Sequence, residues 1–279
     1  MMPAMIYRTL TPQPPLSDFV DLFWAAEGHA PAHARERLLP SGTMQLIINL
    51  REDRLRIYER QHTDRFQSFR GSLICGAHSE FFVIDTASQQ SVIGVHFKPG
   101  GAFPFVKLPA DELRDTHVSL EILWGQSVAT RLRDQLLEAM TPEARFRILE
   151  HFLMGQAARP LVRHPAVACA LSEFSRAVPH MRTISEVAEQ AGLSQRHFIQ
   201  LFSEEVGLTP KVFCRVRRFQ KVLRLVYQAR QIEWADVATA CGYFDQSHFI
   251  RDFRAFSGFN PSTYLTHRGE HQNHVPLPH

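Results

Sequence analysis

The sequence is poor in cysteine, has no long apolar run and carries almost no excess of charge of either sign. Its four cysteines, Cys75, Cys169, Cys214 and Cys241, are scattered and form no Cys-x2-Cys pair. Three of them fall on predicted helices and read as small buried hydrophobes in a reducing compartment. No apolar stretch approaches the ~20 residues of a membrane-spanning helix, and the N-terminus lacks a charged-then-apolar signal, so the expected location is the cytoplasm. Neither a Gly-x-Ser-x-Gly nucleophile turn nor a phosphate-cradling glycine loop occurs. Fifteen histidines invite a metal reading. Yet His29, His33, His62, His78 and His96 show no His-x-His or His-x3-His pairing on one element, as a metal-binding barrel would need. His180, His197 and His248 fall among helices, and His271, His274 and His279 in a polar tail. No catalytic residue, metal or cofactor is therefore expected.

Net charge is +3, but it is unevenly placed. Residues 161–279 carry 14 Lys and Arg against 10 Asp and Glu, whereas the first 160 carry 17 against 18. A basic second half joined to a neutral first half suits a nucleic-acid reader attached to a sensor. The second half also contains one pattern written twice. Ile184, Val187-Ala188, Ala191-Gly192, Phe198, Phe202, Gly207, Pro210 and Phe213 recur as Trp234, Val237-Ala238, Cys241-Gly242, Phe249, Phe253, Gly258, Pro261 and Tyr264. The offset is 50 residues up to the glycine pair Gly192/Gly242 and 51 afterwards. Internal repetition of this kind decides the architecture before any single motif does.

Each copy reads as a helix, a tight turn and a second helix. Thr183 with Glu186 fits a capping box, and Gly192 can take the left-handed conformation that ends the first helix. Ser194 caps the second, whose Phe198, Leu201, Phe202 and Val206 share a face, and Gly207 closes it. In the second copy Asp245 is the cap, with Phe249, Phe253 and Phe256 as the buried face. This is a duplicated helix-turn-helix. Thr209-Pro210 opens a helix running to about Gln228, and twenty residues of helix span ~30 Å. That is close to the ~34 Å of one duplex turn, so a rigid rod here could hold two helices over successive major-groove faces.

What the second helices leave outside carries the functional reading. Gln195, Arg196, Ile199 and Gln200 in the first copy, and Gln246, Ser247, His248, Ile250 and Arg251 in the second, are the candidates for reading base edges. Ser203, Arg215, Arg218, Lys221 and Arg254 are the candidates for phosphate contacts. Solvated polar faces would look the same at any one position, but less readily at two equivalent faces of a repeat.

From about residue 165 to 266 the chain resembles the DNA-binding domain of the AraC/XylS family of bacterial transcription regulators. The resemblance rests on Gly242-Tyr-Phe-Asp-Gln-Ser-His-Phe-Ile-Arg-Asp-Phe-Arg-Ala-Phe-Ser-Gly-Phe-Asn-Pro-Ser-Thr-Tyr264 and on Ala191-Gly-Leu-Ser-Gln-Arg-His-Phe-Ile-Gln-Leu-Phe202 with Gly207 and Pro210. It implies seven helices, two helix-turn-helix units joined by a linker helix, and promoter DNA and RNA polymerase as partners. The family's base-reading positions fall on Arg196, Ile199, Gln200, Gln246, Ser247, Ile250 and Arg251. Ile199 and Ile250 depart from its pattern, since polar residues are frequent there; they could touch a thymine methyl or line the groove.

The first 110 residues follow a different grammar. Met5–Leu10, Met44–Leu50, Leu55–Tyr58, Leu73–Cys75, Phe81–Asp85 and Ser91–Phe97 read as strands, punctuated by glycine and proline. Leu16–Ala25 fits a short helix or a helix running into a strand. Pro109–Leu113 and Leu120–Trp124 read as short helical pieces, Val128–Met140 and Pro142–Gln156 as amphipathic helices. Those last two could form a homodimer surface or pack only on their own domain. Leu38–Leu50, Gly94–Gly101, Leu113-Arg-Asp and Leu123-Trp-Gly125 resemble the effector-type domains that precede some AraC-type readers. This resemblance implies a cupin-like barrel and a small-molecule effector, with Gln45, Asn49, His96 and Lys98 as candidate pocket residues. Alternation along a strand sends every second side chain to solvent, and that reading stands beside the pocket at each of the four.

The expected fold is therefore α+β: a β-rich, cupin-like or half-barrel domain with flanking helices, then an all-α domain with two helix-turn-helix motifs. The expected boundaries are 1–158 for an effector-sensing domain, 159–164 for a linker, 165–266 for the DNA reader and 267–279 for a disordered tail. Two other classes fit less of the sequence: a cupin-like enzyme fused to a reader, and a pure protein-interaction module.

Overall fold

Strand formation in the first 119 residues follows from β-branched and aromatic runs broken by turn residues. The computed structural model describes residues 5–28, 33–62, 64–175, 183–229, 231–269 and 271–277. Of the histidines weighed above, His29, His180 and His279 lie outside these. One sheet has six strands, in the order β1 (Ile6–Leu10), β2 (Val20–Glu27), β9 (Ser91–Phe97), β4 (Gln45–Asn49), β7 (Ser72–Cys75) and β10 (His117–Ser119). A second has five, in the order β11 (His274–Pro276), β3 (Arg35–Leu38), β8 (Phe82–Asp85), β5 (Leu55–Tyr58) and β6 (Phe66–Phe69). All strand pairs are antiparallel.

The six-stranded sheet is apolar on both faces. Trp24, Ala26, Ile47, Leu73, Cys75 and Val92 pack with Leu55 and Phe69 of the other sheet. Phe23, Ala25, Leu46, Ile48, Ile74, Ile93, Val95 and Phe97 join the large core that continues into the helices. Burial on both faces explains why Leu16–Ala25 carried no clean alternation. After a 3-10 turn at Leu16–Asp18, residues 23–26 are consecutively buried in β2. Four further strands escaped the sequence pattern. β3 reads Arg-Glu-Arg-Leu, β6 is largely exposed, and β10 and β11 have three residues each. Being short, polar or at a sheet edge, they lack the apolar alternation that marks a strand.

Helices α1 (Leu120–Trp124), α2 (Gln126–Glu138) and α3 (Pro142–Gln156) follow the sheets. Leu132, Leu136, Leu149 and Leu153 are fully buried in the common core. Among the described residues seven helices come next: α4 (Pro165–Ser175), α5 (Ile184–Gln190), α6 (Gln195–Val206), α7 (Pro210–Gln228), α8 (Trp234–Ala240), α9 (Gln246–Ser257) and α10 (Pro261–His267). The expected capping box forms at Thr183 and Glu186. Thr209 and Asn260 cap helices with proline in the first turn, the position where its missing N–H costs nothing. No helix among the described residues is long and apolar enough to cross a membrane.

The halves share a seam, and one expectation needs correction there. Residues 159–164, read as a linker, are held to the first half by two arginines. The Arg159 guanidinium donates to the carbonyls of Phe103 and Val106, and Arg163 to those of Pro99 and Asp18. Within 267–279, read as a disordered tail, His274–Pro276 returns to the first half as a strand. β11 pairs antiparallel with β3, with Val275 opposite Arg37, and Val275 is fully buried. Backbone pairing with an edge strand needs few apolar residues, so composition could not announce it.

The seam constrains the ends of α6 and α9. Gly207 (φ +88°) and Gly258 (φ +73°) end these helices in the left-handed conformation. A Cβ on Gly207 would lie 3.0 Å from Ala77 Cβ and 3.2 Å from the Ala110 carbonyl; one on Gly258 would lie 2.6 Å from the Phe81 ring. Gly192 (φ +68°) has the same backbone demand but nothing within 4 Å. Alanine at 192 should therefore cost about 1–2 kcal/mol, the left-handed backbone cost alone. Gly207→Ala should lose about 1 kcal/mol more through overpacking. Urea unfolding of the two variants tests this, and equal losses would show that the seam tolerates a methyl group.

Candidate nucleic-acid interface

The two second helices are built alike. Ser194 Oγ accepts from the His197 backbone N–H to cap α6, and Asp245 Oδ1 accepts from the His248 N–H to cap α9. Phe198 and Phe202 bury one face of α6 against Phe174 and Phe213. Phe249, Phe253 and Phe256 bury the equivalent face of α9 against Phe219, Trp234 and Tyr264. Edge-to-face ring contacts of this kind fix the rotation of a helix about its axis as well as its position. α7, at 19 residues, is roughly 28 Å long and packs against both units.

Rotation so fixed decides which candidates face solvent. Gln195, Arg196 and Gln200 are exposed on α6 and Ile199 is half-buried. On α9, Gln246, Ser247, Ile250, Arg251 and Arg254 are exposed. Ser247, Ile250, Arg251, Arg254 and Ala255 line a shallow open groove. Arg196, Arg251 and Arg254 make no ion pair among the described residues, whereas Gln200 donates to Glu204. His248 turns aside: its ring meets Tyr243 edge-on and its Nε2 lies 3.6 Å from Asp252.

The phosphate candidates on the inner helix sides are differently placed. Ser203 is 6 % exposed and its hydroxyl donates to the Ile199 carbonyl, so it does not lie on the outer face. Arg215 is committed to Asp252, 1 % exposed, through three hydrogen bonds of 2.7–3.3 Å. This partner raises the Arg215 pKa, against the opposing effect of burial. Arg218 donates to the Gly242 carbonyl and lies over the Tyr243 ring, and Lys221 donates to the Ala240 carbonyl. These three cations of α7 fasten the second helix-turn-helix to the rod, a role that a count of basic residues cannot distinguish from phosphate binding.

The pocket candidates separate in the same way. Asn49 is 1 % exposed and all its polar atoms are used: Nδ2 donates to the Arg54 and Ser88 carbonyls, and Oδ1 accepts from the Arg51 and Glu52 N–H groups. It shapes a turn. Lys98 follows β9 and is half-buried. Gln45 and His96 stand directly opposite each other, in a transverse row that runs Leu22, His96, Gln45, Cys75, His117. Directly paired residues share a sheet face, and this row faces the second sheet. His96 packs at 5.6 Å from the Trp24 ring, and desolvation lowers its pKa to about 4. The row also brings in Cys75 and His117, which with His78 form a group able to hold a metal ion. The sequence signal for it is Cys75-x2-His78 at a strand end, a mixed pair that neither Cys-x2-Cys nor His-x-His spacing captures.

Among known families, one described as a helix-turn-helix domain matches residues 187–267, and a domain of unknown function (DUF6597) matches residues 8–119. The probable transcriptional regulator LumQ of Photobacterium leiognathi is 32% identical over 82 residues, 29% of this chain and 33% of LumQ. The HTH-type transcriptional regulator CdhR of Pseudomonas aeruginosa is 26% identical over 151 residues, 50% of this chain and 44% of CdhR. The chain thus spans a third to under half of the length of these curated relatives. Among solved structures, an AraC-type regulator of Chromobacterium violaceum is 21% identical over 38% of this chain and 94% of that one, with a TM-score of 0.34.

Two measurements follow from these environments. Arg215→Ala leaves Asp252 buried without its cation, and should cost about 2 kcal/mol of unfolding free energy, less than a fully buried pair because Arg215 is partly exposed. Urea denaturation without DNA reads this, and an unaltered midpoint would return Arg215 to the phosphate contacts. The low His96 pKa means that the unfolded chain takes up this proton first. Its contribution to stability is whole above about pH 6.5 and is lost as pH falls toward about 4. His96→Gln should flatten the fall in melting temperature across that window.

Proposed function

We propose that this chain, whose residues 187–267 match a helix-turn-helix family, is a sequence-specific, DNA-binding transcription regulator of AraC type. Residues 165–266 are its reader. α6 and α9 enter successive major-groove segments of promoter DNA by their N-terminal halves, with α7 as the spacer. Arg196, Gln200, Ser247 and Arg251 read base edges, Gln195 and Gln246 stand at the groove rim, and Ile199 and Ile250 make apolar contact. Arg254 meets phosphate. The observation that carries this reading is the likeness of the two outward faces: the same cap position, rings that bury the equivalent side, and Gln195/Gln246, Arg196/Ser247 and Gln200/Arg251 exposed at matching positions.

Residues 1–158 act as the regulatory domain and bind a small-molecule effector, with Gln45 and His96, opposite each other on one sheet face, as its candidate contacts. A regulator of this class works in the cytoplasm, contacts RNA polymerase and needs no chemistry of its own. Binding through a protein partner alone is the competing reading, and salt separates the two. Phosphate contacts make log affinity fall steeply and linearly with log salt, whereas an apolar protein contact is shallow in salt.

Fragments of the host genome recovered on the purified chain supply the binding site. Arg196→Ala and Arg251→Ala should each lower discrimination at one base step by ~1–3 kcal/mol. Arg254→Ala should weaken all sequences alike and reduce the salt slope by about one. Unchanged site preference in both of the first two variants would remove α6 and α9 as reading helices.

A further inference from the structure

Cys75 ends β7, His117 opens β10 directly opposite it, and His78 follows Cys75 by three residues. The Cys75 sulfur and a ring nitrogen from each histidine lie within 4.8 Å of one another. Cys75 and His78 are 3 % and 7 % exposed. The Phe82 ring centroid is 4.6 Å from both imidazoles. In such surroundings an imidazole nitrogen normally finds a hydrogen-bond partner, because burying it without one is costly. Here Nε2 of His78 and Nε2 of His117 are both buried with no partner. The two rings are 4.7 Å apart and do not hydrogen-bond to each other through these atoms.

The far side of His78 is furnished as a metal ligand requires. Its Nδ1 lies 3.8 Å from Asp115 Oδ1 and beside the Thr116 backbone. These acceptors favour the proton on Nδ1 and leave the buried Nε2 with a free lone pair. Asp115 is itself held, accepting from the Ser79 N–H, the Ser79 hydroxyl and Arg114 Nε. It adopts φ 53°, alone among non-glycine residues of the described chain. Backbone strain of this sort persists where the surroundings over-determine it.

We propose that Cys75, His78 and His117 bind a borderline-soft divalent metal ion of the Zn²⁺ type. One sulfur and two imidazoles select such an ion over Mg²⁺ or Ca²⁺, which take oxygen donors. Tetrahedral ligation with bonds of about 2.0–2.3 Å sets ligand atoms roughly 3.3–3.7 Å apart, a contraction that side-chain rotation supplies. Binding releases the Cys75 thiol proton to solvent, so thiolate and two neutral imidazoles leave one net positive charge. A fourth position opens toward a cleft of about 300 Å³ between β6 and β10, lined by His117 with Gln67, Ser68 and Phe69. The cleft is the access route.

The site also sits where regulation would need it. Ala77 packs on Gly207 and Phe81 on Gly258, so the segment from 76 to 81 touches the ends of α6 and α9. The metal fixes that segment through His78. Its effect on DNA reading rests on the function proposed above; metal binding itself does not.

Full-length chain, freed of metal under reducing conditions and titrated with Co²⁺, tests the site directly. A thiolate-to-cobalt charge-transfer band should rise to one equivalent and vanish when Zn²⁺ is added. Cys75→Ser should abolish the band, His271→Ala in the tail should leave it intact, and Asp115→Asn should weaken binding about tenfold. No band in the wild type overturns the proposal, whatever the folding of the variants, and so does a band that survives in Cys75→Ser. Zn²⁺ should also slow amide exchange at Gly207 and Gly258. Binding with unchanged exchange there keeps the site and removes its link to the reading helices, leaving the DNA-binding reading untouched.

Discussion

Gly207 and Gly258 occupy the same place in the two repeats, and each is caught between a left-handed backbone and a neighbouring domain. A helix that ends on such a glycine turns its last carbonyls inward and brings its backbone close to whatever lies beyond. Here that is Ala77 and Ala110 at one helix, Phe81 and Arg37 at the other. Around these two points the seam is sealed by polar contacts that are themselves buried. Glu205 accepts from the His164 N–H and faces Arg163, and burial pushes its carboxyl above the ordinary range despite both partners. Gln220 donates to the Pro40 carbonyl and to Asn273. Arg37 lies between the rings of Phe81 and Phe259 while donating to the Ser257 carbonyl. Such groups are costly to separate, because each would be left unpaired.

The seam assigns the two ends of each reading helix to different tasks. C-terminal halves belong to the interior, and N-terminal halves are free to meet another molecule. Residues 76–81 of the first domain thus lie against the ends of both helices at once.

Positive charge on α7 shows how far composition alone can mislead. Arg215, Arg218 and Lys221 look like a phosphate-binding stripe, but their reach is spent on Asp252 and on carbonyls at the end of α8 and in the turn after it. Each bond satisfies a carboxylate or a helix-end carbonyl that would otherwise lack a partner. Arg196, Arg251 and Arg254, by contrast, are exposed on the second helices themselves and make no ion pair among the described residues.

The duplicated helix-turn-helix was legible because its signals are local. Caps at Thr183, Ser194, Thr209 and Asp245, left-handed glycines at 192, 207, 242 and 258, and phenylalanines at helical spacing all act within a few residues. The β-rich first half was legible where β-branched and aromatic residues run between turn signals, at β1, β4, β5, β7, β8 and β9, and illegible at β3, β6, β10 and β11. Asn49 and Ser203 went astray for a shared reason. A polar side chain gives the same letter whether it faces solvent, a ligand or a backbone group.

From its letters alone this chain settles an α+β fold, a repeated reading motif and the exposed registers of two helices, since helix period and capping are short-range. Tertiary structure alone decided that a polar tail returns as a strand beside Arg35–Leu38, and that basic residues of α7 bind their own chain. It also decided that Cys75 and His117, 42 positions apart, face one another. Strand register and domain contact are set by where distant segments can bury apolar surface together, and no window of the sequence contains both partners.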